Sequence, residues 1–229
     1  MIRIQRTPID KRTLPGYSLR EERFNTLSHA VGAVLAVPAM VLCVVFAAVS
    51  GDPWAMVAGA VYGLSLVTMY VVSSVYHGLR KSDRAKKIMQ VLDHCMIYFL
   101  IVGCYMPILL CAVRSSEPVW AWVIFSLILA LAGFGVTFTA IDHRRYWRLS
   151  YTCIGILAAS FLLATPLLIP ALTFPGFLLL SAGGVVYLIG GVFYRIGWDK
   201  DNMHAVFHVF VIIGSLLHFA CIFFYVLNR

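Results

Sequence analysis

The chain has 229 residues, 61% of them hydrophobic and 12% charged, with a net charge of +8 and a mean hydropathy of +0.88. A soluble domain carries roughly twice that charged fraction, so the composition excludes a water-soluble globule and points to helices in lipid, where the backbone satisfies its own hydrogen bonds. The long continuous apolar runs exclude a transmembrane β-barrel, built from alternating segments of about ten residues, and the positive charge reads as loop charge rather than as a nucleic-acid footprint.

Residues 1–26 form a polar, basic tail without the apolar core of a cleavable signal, so the first apolar run is expected to act as an uncleaved insertion signal. Within it, "SLREERFNTLSH" predicts a short interfacial helix. Ser18 and Glu21 have capping-box spacing, and Glu22, Asn25 and His29 fall on one helical face.

Residues 27–229 then predict an all-α bundle of seven transmembrane helices: Leu27–Val49, Trp54–Tyr76, Ile88–Val113, Val119–Ile141, Leu149–Ala171, Gly176–Tyr194 and Met203–Leu227. Each has about the 20 residues needed to cross a ~30 Å hydrocarbon core. Turn-like stretches separate them, among them Gly51-Asp52-Pro53 and Thr173 to Pro175. Pro38, Pro107 and Pro166 inside the spans predict kinks. The six cysteines all lie in apolar runs without C-x-x-C spacing and read as small buried side chains.

Lysine and arginine test this count. The tail holds six, the second loop five, the fourth three and the sixth two, whereas the remaining two of the 18 are Arg114 and Arg229. Such alternation predicts a cytoplasmic N-terminus and an external C-terminus. That orientation excludes a G-protein-coupled receptor, and a last span without lysine excludes a retinal protein.

Asp93 is the single charged residue inside a predicted span. An intramembrane carboxylate is costly and normally has a partner inside the bundle. "HAVFH" sets His204 and His208 at i and i+4 on one helix face, while His77 closes the second span with Ser73 one turn earlier. The topology brings all five residues toward the cytoplasmic leaflet. Three imidazoles suit Zn²⁺ and leave a fourth position for water, whose pKa the metal lowers to about 7. A nearby carboxylate suits proton handling. Spacing alone leaves other readings open: Asp93 paired with a loop lysine or His94, helix-bridging hydrogen bonds for His29, His94 and His218, and copper, nickel or iron in place of zinc. His143, in a basic loop, reads as solvated.

"EERFNTLSHAVGA", "SSVYHGL", "VLDHCMIYFLIVGCYMPILL" and "HAVFHVFVIIGSLLHF" resemble the hemolysin III family, related to the progestin and adiponectin receptors and more distantly to alkaline ceramidases. The resemblance implies a seven-helix bundle with its N-terminus inside. It implies zinc held by His77, His204 and His208, a water held by Asp93, and Ser73 beside it; Glu22, Asn25 and His29 would surround that centre. The expected activity is zinc-dependent hydrolysis of a lipid amide or ester from the inner leaflet of the plasma membrane, in the manner of a ceramidase, with a membrane lipid as partner. A non-catalytic receptor or membrane-homeostasis regulator with structural zinc is the alternative, and a pore-forming cytolysin a third.

Overall fold

The computed structural model describes residues 5–228. Among them there is no strand, and six helices are long and apolar enough to cross a membrane. They are α1 (Leu19–Ser50), α2 (Pro53–Gly78), α3 (Arg84–Pro107), α4 (Pro118–Asp142), α5 (Trp147–Ile196) and α6 (Met203–Ile222). Wider π-type turns extend α3 through Ile108–Val113 and α6 through Phe223–Leu227.

Local chemistry explains the boundaries. Ser18 Oγ accepts from the Glu21 amide at 3.2 Å and starts α1, the N-cap half of a capping box. No break follows, so the expected interfacial helix is the first turns of α1. Gly51, at φ 69°, ends α1 in the left-handed region that a side chain would resist. Asp52 Oδ1 then accepts from the Trp54 amide at 3.0 Å and, with Pro53 in the first turn, starts α2.

The expected fifth and sixth segments fall within one element. α5 has 50 residues, about 75 Å at 1.5 Å per residue, more than twice a ~30 Å hydrocarbon core. Its backbone is broken at Thr173, with φ 61° and ψ 163°, a position unfavourable for a β-branched residue. Pro166, Pro170 and Pro175 surround the break. A single non-helical residue thus stands where the sequence suggests a loop.

The helices pack in chain order, α1 on α2, α2 on α3 and α5 on α6, and α1 returns to α6. Tyr62, Leu66, Leu109, Leu157, Leu168 and Ile222 fill the interior. Gly32 of α1 lies flat against Tyr70 of α2, where an added Cβ would come within 2.6 Å of the ring. The outer faces are apolar: Val34, Val119, Leu162, Leu163 and Val192 are all exposed, far more apolar surface than a water-soluble monomer presents. Five of the six cysteines are buried.

Candidate metal centre

The end of α2 and the starts of α1, α3 and α6 meet at the basic end of the bundle. His77 and His204 bring their Nε2 atoms within 3.3 Å of each other, and His204 and His208 bring theirs within 3.2 Å. All three rings are buried, with ligand atoms within 4.8 Å of one another. Two ligands of a tetrahedral ion with ~2.0–2.1 Å Zn–N bonds are about 3.3–3.4 Å apart, so the spacing suits one ion.

The outer sides of two of the rings, His77 and His208, are already engaged. Glu22 Oε2 lies 2.8 Å from His77 Nδ1. A carboxylate can only accept, so His77 donates from Nδ1, and its neutral form turns the Nε2 lone pair inward. Ser28 Oγ lies 3.4 Å from His208 Nδ1. This is the usual second layer of a histidine metal site. With His204 and His208 also protonated on Nδ1, the three Nε2 lone pairs would face one another, an arrangement that a cation satisfies.

Lys86 fixes the frame. It is 1% exposed, and its Nζ lies 2.9 Å from Glu22 Oε1, 3.2 Å from His77 O and 3.0 Å from Leu79 O. Its three donors meet three acceptors on α1, at the end of α2, and on the residue just after α2. The sequence shows Lys86 only as one of five cations around a loop; nothing in it marks a buried ion pair. Ser28 and Tyr17 are equally unmarked.

The other expected residues divide. Asn25 is wholly buried and His29 is stacked on His208, ring centroids 3.7 Å apart. Both amide atoms of Asn25 and both ring nitrogens of His29 lack a hydrogen-bond partner among the described residues. Ser73 is buried one turn before His77. Asp93 is partly exposed and shares with His204 the wall of a cavity of about 530 Å³ that also includes Tyr17, Tyr76, Gln90 and Tyr194. Among the described residues its carboxylate has no hydrogen-bond or ion-pair partner, so neither a loop lysine nor His94 neutralises it.

His94 is a helix-bridging residue. Its Nδ1 donates to Gln90 O at 2.7 Å, leaving Nε2 to accept from the Tyr194 hydroxyl at 3.1 Å. His143 corrects the sequence reading: it is buried, not solvated, and its ring is tilted against that of His94 with centroids 4.7 Å apart. Burial, and then the neighbouring His94, push its pKa down to about 3. Burial likewise pushes the Tyr17 phenol well above its ordinary value.

These features define a multi-pass helical membrane protein with three buried histidines poised to share an ion at one end. The Haemolysin-III related family matches residues 17–219, and the chain belongs to that family. It is 36% identical over 219 residues to Hemolysin-3 of Bacillus cereus, covering 95% of this chain and 97% of the relative. It is 31% identical to a Hemolysin-3 homolog of Bacillus subtilis, over 91% of this chain and 96% of the relative. The human monocyte to macrophage differentiation factor is 26% identical over 95% of this chain and 88% of its own length.

Proposed function

We propose that the protein is a zinc-dependent membrane hydrolase acting on an amide or ester of a lipid from the inner leaflet. The observation that carries this reading is the convergence of the His77, His204 and His208 Nε2 atoms. Zinc bound there would supply Lewis acidity and activate water. The chain's own residues do the rest. Glu22 orients His77, and Ser28 orients His208. Asp93 sits in the cavity wall to take and return a proton, and Ser73 lies one turn from the cluster to hold a developing oxyanion.

Lipid access has its own support. A groove of about 310 Å³ lies between the starts of α1 and α6, lined by Phe24, Ala205, Val206 and Val209 with Arg20 at its edge. Glu21 lines both this groove and the larger cavity. The lysine and arginine distribution supports a cytoplasmic N-terminus, and the length of α5 with its break at Thr173 supports two crossings, hence seven spans and an external C-terminus. We assign the protein to the plasma membrane on the same reading.

The test has two parts. Purified protein is expected to hold about one zinc per chain, and His208→Ala almost none; equal, substoichiometric metal in both would end the metal reading. Labelled lipid amides and esters should be cleaved by the wild type and not by Asp93→Ala. A second reading, a non-catalytic receptor or homeostatic regulator, draws on the absence of any hydrogen bond from Asp93 to the cluster among the described residues. Full zinc occupancy with no turnover on any lipid would favour it. A cytolytic pore finds less support: beyond His218 the interior is closed by Leu109, Leu110, Ile222, Val226 and Leu227.

A further inference from the structure

Residues 5–17 do not trail from the bundle; they cross its basic end as a strap. The Gln5 amide donates to the Tyr146 hydroxyl at 3.1 Å, and the Thr7 amide to Asp142 Oδ2 at 2.9 Å. Arg12 is buried, its Nε donating to Thr7 O at 3.1 Å and its Nη2 to Ile141 O. These contacts fasten the strap to the α4–α5 turn. On the opposite side, Lys87 Nζ donates to Asp10 O at 2.6 Å, Arg84 lies 3.3 Å from the Asp10 carboxylate, and Lys81 Nζ donates to Tyr17 O at 2.5 Å. Arg144 Nη1 donates to Thr13 Oγ1 at 2.6 Å.

Charge explains why a basic tail can lie on basic loops. The strap offers mostly backbone carbonyls and one carboxylate, so the loop cations meet acceptors instead of other cations. Each exposed contact contributes little, and the buried guanidinium is the firm anchor. The strap ends by placing the Tyr17 ring on His204, with centroids 4.7 Å apart and planes 21° from parallel, and 5.8 Å from His77. Leu14, Pro15, Gly16 and Tyr17 all line the cavity that holds Asp93 and His204. Residues 5–16 lie outside the family match, which begins at residue 17.

We propose that the strap is a wall of the ligand cavity, and that Tyr17 is a positioning residue that holds the His204 ring and shields the histidine cluster from the aqueous side. This rests on the reading of the cavity as the ligand's place. Its test is made on metal-free protein, so the shield and the metal centre stand or fall separately.

The experiment is residue-resolved modification of full-length protein by diethyl pyrocarbonate, read by mass spectrometry. Tyr17→Ala is expected to raise the His204 modification rate about three- to tenfold, the scale of one lost ring contact. Tyr17→Phe, which keeps the ring, should restore the wild-type rate. His218, partly buried along α6 with its Nε2 donating to Leu180 O at 3.1 Å, reports on folding and should stay unchanged. Arg144→Ala, an exposed change that frees Thr13, should raise the His204 rate by about twofold. If His218 also becomes reactive in Tyr17→Ala, that variant has lost its fold and Arg144→Ala decides alone. An unchanged His204 rate in the folded variants, or a Phe variant as reactive as Ala, overturns the proposal.

Discussion

Two groups of histidines lie at the same end of the bundle, and they use their ring nitrogens in opposite ways. In the first, Glu22 and Ser28 take the outward nitrogens of His77 and His208, and the remaining Nε2 atoms face one another. In the second, His94 spends both nitrogens on Gln90 and Tyr194, and meets His143 ring to ring. Both groups are built from buried or half-buried imidazoles on neighbouring elements. The difference teaches that closeness of histidines is a weak sign of a metal site. What matters is whether the ring nitrogens converge on one point, as the three Nε2 atoms of the first group do; His143 Nδ1 in the second has no partner yet joins no such group among the described residues.

The sharpest way to break the comparison is to remove one ligand from the first group. His204→Ala should abolish stoichiometric metal binding, leaving under about a tenth of an equivalent, because two imidazoles no longer enclose an ion. Metal content after dialysis checks this. Next comes the residue behind a ligand. Glu22→Gln keeps the shape but weakens the acceptor that fixes the His77 tautomer, so metal affinity should fall about 10- to 100-fold, read by competition with a chromophoric chelator. The same change strands the buried Lys86 charge, and loss of one partner of a buried pair costs about 3–5 kcal/mol. Glu22→Gln should therefore also lower the thermal midpoint in detergent, and adding Lys86→Met should recover much of it.

How much of this was legible in the sequence follows from what each residue depends on. His204 and His208 are one turn apart, as are Ser73 and His77, so helical periodicity alone places each pair on a face. The alternation of lysine and arginine brings those faces to one end. The Glu22, Asn25 and His29 face was equally readable, and the structure sets it against the cluster. Lys86, Tyr17 and Ser28 were not readable, because each acts across helices and resembles its solvated or apolar neighbours in the chain. His143 reads as solvated from its basic neighbours. It is buried because the strap and Trp147 help enclose the same cavity, a tertiary effect with no local pattern. The break at Thr173 lies between prolines that signalled an interruption, yet helical backbone resumes after one residue.

The second group carries a pH signature that the comparison predicts. His143 is held neutral, with its pKa pushed down from 6.5 to about 3. Below about pH 6.5 the unfolded chain takes up a proton that the folded chain refuses until about pH 3. Stability from this group is therefore complete above the unfolded value and is lost as the pH falls between the two. The slope is at most about 1.4 kcal/mol per pH unit. His143→Phe should flatten the fall in thermal midpoint between pH 6.5 and pH 4 relative to the wild type. An equal slope in both proteins would mean that His143 is protonated in the fold.

The smallest expected effect sharpens the contrast most. His94→Phe removes two neutral hydrogen bonds, to Gln90 O and from the Tyr194 hydroxyl, while keeping a ring against His143. Bonds of this kind contribute about 0.5–1.5 kcal/mol each, and Tyr194 stays packed against His204 with ring centroids 5.4 Å apart. The thermal midpoint should drop slightly, and metal affinity should stay within about twofold of the wild type. A loss of metal comparable to that in Glu22→Gln would show that His94 acts on His204 through the Tyr194 phenol. The two histidine groups would then be one functional unit rather than two, and the distinction between converging and spent ring nitrogens would no longer separate them.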